Sequence, residues 1–126
     1  MRLESIAEKL EVDGVGTRGA SLFVHRMPEN VDRGVLLLSR LAGTPINHEL
    51  PGLRRTSFQV IVRDIDYASG YAKAEQISQL LSIENQLVGD MNIHWILPKH
   101  EPVVYPVSKG DLLEISVNFE AVYVAT

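Results

Sequence analysis

Apolar residues recur along this chain at helical spacing in some stretches and at every second position in others, and the switches between these rhythms mark out its elements. Leu3, Ile6, Ala7 and Leu10 stand at i, i+3, i+4 and i+7, with Glu4, Glu8 and Lys9 on the other side. This predicts a short amphipathic helix over residues 2–11 that ends before Gly14. Over residues 56–63 the rhythm changes: Phe58, Val60 and Val62 alternate with Ser57, Gln59, Ile61 and Arg63, as in a half-buried strand. Asp64-Ile65-Asp66 then offers short carboxylates that can accept the orphan N–H groups of a starting helix. Tyr67, Tyr71, Ala74, Ile77 and Leu81 follow at helical spacing. Strand and helix are expected to pack together, with both tyrosines on the packed face.

The remaining runs surround this unit. Residues 21–27 and 34–40 read as strands joined by the polar turn 28–33. Residues 41–55 form a long connection broken by Gly43, Pro45, Pro51 and Gly52, yet carrying Ile46, Leu50 and Leu53. A loop of that length in a small domain is usually functional, and its apolar residues suggest an arm that contacts a partner. Residues 85–90 read as a polar turn, and Met91, Ile93, Trp95 and Leu97 alternate as a further strand. Pro98, Pro102 and Pro106 restrict residues 103–107 to an edge or irregular strand, and 108–111 to a tight turn after it. Leu113, Ile115, Val117, Phe119, Ala121 and Tyr123 form the longest alternation, free of Pro and Gly, as expected of a central strand. The pattern predicts an α+β fold: a mostly antiparallel sheet packed against one main helix, plus a short N-terminal helix.

Composition narrows the field further. The chain has 126 residues, the size of one domain, and 45% of them are apolar, enough for a core. Cysteine is absent, which excludes disulfides and thiolate metal sites. The formal charge of −4, with Arg54-Arg55 the only basic doublet, argues against binding nucleic acid by phosphate neutralisation. The charged N-terminus is unlike a signal peptide, and no apolar run approaches a membrane span.

Candidate chemistry is sparse. Gly14-Val-Gly-Thr-Arg-Gly19 spells a dinucleotide fingerprint, but the helix precedes it and the strand follows, the reverse of the required context, so it reads as a turn. His25, His48, His94 and His100 show no metal-ligand spacing, and His25 and His94 oppose the apolar set of their strands, as surface histidines do. Asp64 and Asp66 could hold a divalent cation through oxygen, but their place before a helix reads more economically as capping. No Ser stands in a strand-to-helix elbow. These features predict a protein that is not an enzyme, with no cofactor and no metal.

The stretch Phe58-Gln-Val-Ile-Val-Arg63, continuing through Asp66-Tyr67, Tyr71, Ala74, Ile77 and Leu80-Leu81, resembles a pattern of small bacteriophage tail terminator, or tail completion, proteins. The N-terminal helix, Phe23-Val24 running to Met27-Pro28, and the final strand with Asn118-Phe119-Glu120 are similar to that family too, so the resemblance covers nearly the whole chain. Thr56-Ser57 departs from it, standing where an aromatic-Pro pair is common. The resemblance implies a virion protein, assembled in the host cytoplasm, that forms a ring, commonly hexameric, on the head-proximal end of the tail tube. There it would stop tube polymerisation and join the tube to the head connector, with DNA only passing through its lumen. A head-completion or neck protein is the neighbouring alternative, and a small ligand- or metal-binding enzyme domain using Asp64, Asp66 and a histidine is the alternative of another class. For the contacts of a ring, the arm residues Ile46, His48, Glu49, Leu50 and Leu53 with Arg54 and Arg55 are the first candidates. Arg26, Glu29, Asp32 and Arg33 form a second candidate loop.

Overall fold

A computed structural model describes residues 1–106 and 112–125. In chain order the elements are α1 (Leu3–Val12), β1 (Leu22–Val24), β2 (Gly34–Ser39), β3 (Leu53–Asp64), α2 (Tyr67–Leu80), β4 (Ile83–Val88), β5 (Met91–Pro98), β6 (Val103–Pro106) and β7 (Leu113–Ala125). The turn expected at 108–111 lies outside the described residues.

The longest alternation does form the central strand. β7 pairs antiparallel with β3 along one edge, from Leu53↔Val124 to Asp64↔Leu113. Along its other edge β5 and β6 lie end to end, β5 covering residues 119–125 and β6 residues 113–116. Pro98 and Pro102 interrupt what would otherwise be one strand. His100 bridges the break: its Nε2 accepts from the Asn118 N–H at 3.2 Å, while Lys99 N–H donates to the Asn118 carbonyl at 2.8 Å. The sheet order is β1-β2-β3-β7-β5-β4, antiparallel except where β1 runs parallel to β2.

Both helices lie on one face of this sheet. Leu3, Ile6, Ala7 and Leu10 of α1 and Ala74 and Ile77 of α2 join Phe58, Val60, Val62, Ile115, Val117 and Phe119 in a single buried cluster. Phe58 and Phe119 stack there with ring centroids 5.2 Å apart. Helix α2 sits very close to β3 and β7. At Gly70 an added Cβ would lie 2.8 Å from Ile115 Cδ1 and 3.0 Å from Asp64 Cβ. Helix α1 touches β1 and β2 as well as β4, although β1 and β4 are opposite edges, so the sheet curls around it.

The structure corrects several expectations. The strand expected over 21–27 ends at Val24, because His25 takes a left-handed backbone (φ 71°) and turns the chain away. Residues 85–88 belong to β4, not to a polar turn; they read as polar because this edge strand exposes Glu84, Asn85, Gln86 and Leu87 to solvent. The turn is confined to Gly89-Asp90. In β5 the alternation breaks at a bulge, where Ile93 pairs with Tyr123 but Trp95 with Val122, leaving His94 as the extra residue. Ile96 therefore enters the core, and Trp95 and Leu97 turn to the opposite face. Tyr67 and Tyr71 are stacked at 5.6 Å, but Tyr67 is 54% exposed and Gly70 occupies the packed position instead. Asp66 caps α2, accepting from Ser69 N–H at 3.1 Å. Asp64 does not cap the helix: buried, it accepts from Asp66 N–H at 2.9 Å and pairs with Arg33 at 3.3 Å.

Candidate assembly interface

Strand geometry that buries Phe58, Val60 and Val62 under the helices sends their neighbours to the other face. That face is covered by neither helix. A polar ladder runs along its centre between β3 and β7. Arg55 Nε donates to Glu120 at 2.7 Å, Gln59 Nε2 to Ser116 Oγ at 2.6 Å, and Arg63 Nη2 to Glu114 at 3.1 Å. Apolar groups flank the ladder: Leu36 and Leu38 on β2, Trp95 and the 48% exposed Leu97 on β5, Val103 and Tyr105 on β6. Arg55 also lies over the Trp95 ring, 5.9 Å from its centroid. Apolar and paired charged groups alternating on an uncovered sheet can bury against another protein with few unmatched charges.

Loops stand at the two ends of this face. At one end, Arg63 Nη1 donates to the Pro28 and Val31 carbonyls at 3.0 and 3.2 Å and so holds the loop 25–33. Arg26, Glu29 and Asp32 of that loop are exposed, whereas Arg33 is engaged with Asp64. At the other end, about 26 Å away for the eight residues between Arg63 and Arg55, the arm leaves β2 after Ser39 and returns at Leu53.

The arm is held at its root and organised within. Thr44 Oγ1 donates to the buried Thr56 Oγ1 at 3.0 Å. The Ala125 N–H donates to the Gly52 carbonyl at 2.8 Å. Burial raises the Tyr123 phenol above its ordinary value of 10.0, opposed by hydrogen bonding to Thr44 and by the Arg54 charge. Farther out, Asn47 Oδ1 accepts from Glu49 and Leu50 N–H at 3.0 and 3.1 Å, closing a side-chain turn. Leu41, Ile46 and Leu50 remain exposed.

Between arm and sheet lies a cleft of about 910 Å³. The arm contributes Pro45, Ile46, Asn47, His48 and Glu49, and the open face contributes Leu53, Arg55, Ser57 and Glu120. Arg40 and Lys99 complete its wall. The structure thus brings together Ile46, His48, Glu49, Leu53 and Arg55 from the sequence-derived set. It separates the arginine doublet: both arginines and Leu53 belong to β3, and Arg54 projects to the covered side near Tyr123. Arg40, Lys99 and Trp95 were not legible as site residues. Arg40, after β2, and Lys99, after β5, line one cleft only because β3 and β7 pair between their strands, and Trp95 reaches this face through the bulge at His94. Among the described residues no group of three or more His, Asp or Glu side chains could hold a metal ion. No described helix is long and apolar enough to cross a membrane.

The fold is similar to that of a chain described as "Virion of native gene transfer agent (GTA) particle", with a TM-score of 0.66 and 16% identity over 94% of this chain and 86% of the other. No protein of curated function matches the sequence. The profile of the family described as "Bacteriophage tail terminator protein" matches residues 9–125, nearly the full length. The chain belongs to the bacteriophage tail terminator family, structural proteins of the phage tail.

Proposed function

We propose that this protein caps the head-proximal end of the tail tube as a ring of identical copies, ends tube polymerisation, and forms the joint to the head connector. The family match over residues 9–125 carries this reading. The geometry fits it: a closed ring needs two different complementary surfaces on each copy, and this sheet offers an uncovered face with a loop at each end. The cleft residues Ile46, His48, Glu49, Leu53 and Arg55, with Leu50 and the loop residues Arg26, Glu29 and Asp32, contact a neighbouring copy or the tube. The acidic balance of −4 suits a lumen through which DNA passes without counterion-driven adhesion. The protein resides in the virion and is assembled in the host cytoplasm.

Electron microscopy of the purified chain with its tube protein tests this directly. Rings on tube ends and tubes of limited length are expected; uncapped tubes of unlimited length in the presence of excess protein refute it. A phage lacking the gene should make overlong tails. Normal-length tails beside heads that leak DNA would instead assign the chain to the neck.

A further inference from the structure

The cleft under the arm carries cations that the chain itself leaves unmatched. Arg55 is neutralised by Glu120, but Arg40 and Lys99 have no ion-pair partner among the described residues. Beside them the exposed Ile46 supplies an apolar wall. On the covered side of the sheet, α1 shows the complementary surface. Its inner stripe is buried, and its outer stripe carries Glu4 and Glu8 with Val12, which is 81% exposed. Exposed Leu87 of β4 shares a surface depression with Glu8 and Val12, extending the apolar part. The cleft also holds Glu49 but keeps an excess of cations beside its apolar wall, while the helix surface is acidic with an apolar neighbour, its Glu4 lying 3.9 Å from His25 Nε2.

Cleft and helix stripe lie on opposite sides of the same sheet, so no copy can satisfy its own cleft with its own helix. We infer that the cleft receives the outer face of α1 from a second copy of this chain, Arg40 and Lys99 facing Glu4 and Glu8, and Ile46 meeting Val12. Such a contact is heterologous, and repetition around a rotation axis closes it into a ring. Charge matching fixes the register of neighbours, while the apolar pair contributes buried area. This inference rests on the ring reading above and names the surfaces that build the ring.

Charge exchange tests it, using full-length protein alone by native mass spectrometry and with tube protein by electron microscopy. Arg40→Glu with Lys99→Glu, and separately Glu4→Lys with Glu8→Lys, should each lower the oligomer population about tenfold or more. All four positions are exposed or nearly so, and an unchanged thermal midpoint confirms that folding is intact. Mixing the two variants places a reversed cleft against a reversed helix and should restore the ring. Oligomers insensitive to either exchange, or loss without restoration on mixing, overturn the inference while leaving ring formation by the wild type standing. Wild-type head-to-tail oligomers that respond to the exchanges yet never cap tubes support the inference and refute the capping function. A wild type that never self-associates, alone or on tubes, refutes both.

Discussion

Gly70→Ala should destabilise this protein, although in an ordinary helix interior the same change helps. Replacing glycine by alanine in a helix contributes about 1 kcal/mol, mainly by restricting the unfolded chain. Gly70, however, is buried where α2 meets β3 and β7, and the added Cβ would sit 2.8 Å from Ile115 Cδ1 and 3.0 Å from Asp64 Cβ. The Ile115 methyl is a side-chain end but lies in a fully buried core, so it can yield only by displacing neighbours. Asp64 is less able to yield, since its carboxylate is fixed by Asp66 N–H and Arg33. Overpacking of this kind costs about 1–3 kcal/mol. The balance is a net loss of about 1 kcal/mol, seen as a lower urea midpoint at unchanged m-value and a thermal midpoint about 3–5 °C lower. Ile115→Val removes the nearer obstacle and should alone cost about 0.5–1.5 kcal/mol. Combined with Gly70→Ala it should cost less than the two separate losses added together. A Gly70→Ala protein as stable as the wild type, or more so, would falsify the claim that the helix–sheet spacing is fixed here.

Other expectations follow from single contacts. Asp66→Ala removes the cap on α2 and should cost about 1 kcal/mol by chemical denaturation, with Asp66→Asn retaining most of it. Because burial raises the Tyr123 phenol, its ionisation favours the unfolded chain: its contribution to stability is complete below pH 10.0 and falls as pH rises beyond that value. Tyr123→Phe should therefore flatten the alkaline limb of a stability–pH curve, and an identical limb would count against the assignment. Arg55→Ala should change stability by less than about 1 kcal/mol, because its side chain is 71% exposed. If the open face is an assembly surface, the same change should reduce tube capping; full capping would remove Arg55 from the interface. Deleting His94 should remove the bulge yet keep Ile93 and Ile96 in the core and Trp95 on the open face, so the fold should survive with at most a modest drop in thermal midpoint; complete unfolding would count against the bulge.

What the sequence disclosed follows how locally each feature is encoded. β7, β3 and both helices announce themselves because one face of each is buried against a common core, so their apolar periods survive in the residue order. β4 does not, since an edge strand with Glu84, Asn85 and Gln86 in solvent has no buried period to display. The bulge at His94 is a matter of register between β5 and β7, which no single strand records, and it alone decides which way Trp95 points. The arm was legible from its glycines, prolines and stranded apolar residues, but its boundary was not, because β3 begins with Leu53-Arg54-Arg55, which lacks the alternation that follows. The cleft was the least legible part: Arg40 and Lys99 come to line one wall only after β2, β3, β7 and β5 have assembled.

The arm's attachment has a consequence for how such a protein can change. Its roots are fixed by the ends of paired strands and by backbone and hydroxyl bonds at Gly52 and Thr44. The entropy of closing a loop on fixed ends grows only logarithmically, so doubling the arm's length would cost about 0.6 kcal/mol. Residues can thus be added or removed between the roots at almost constant fold stability, altering reach and partner while the sheet beneath is left as it was.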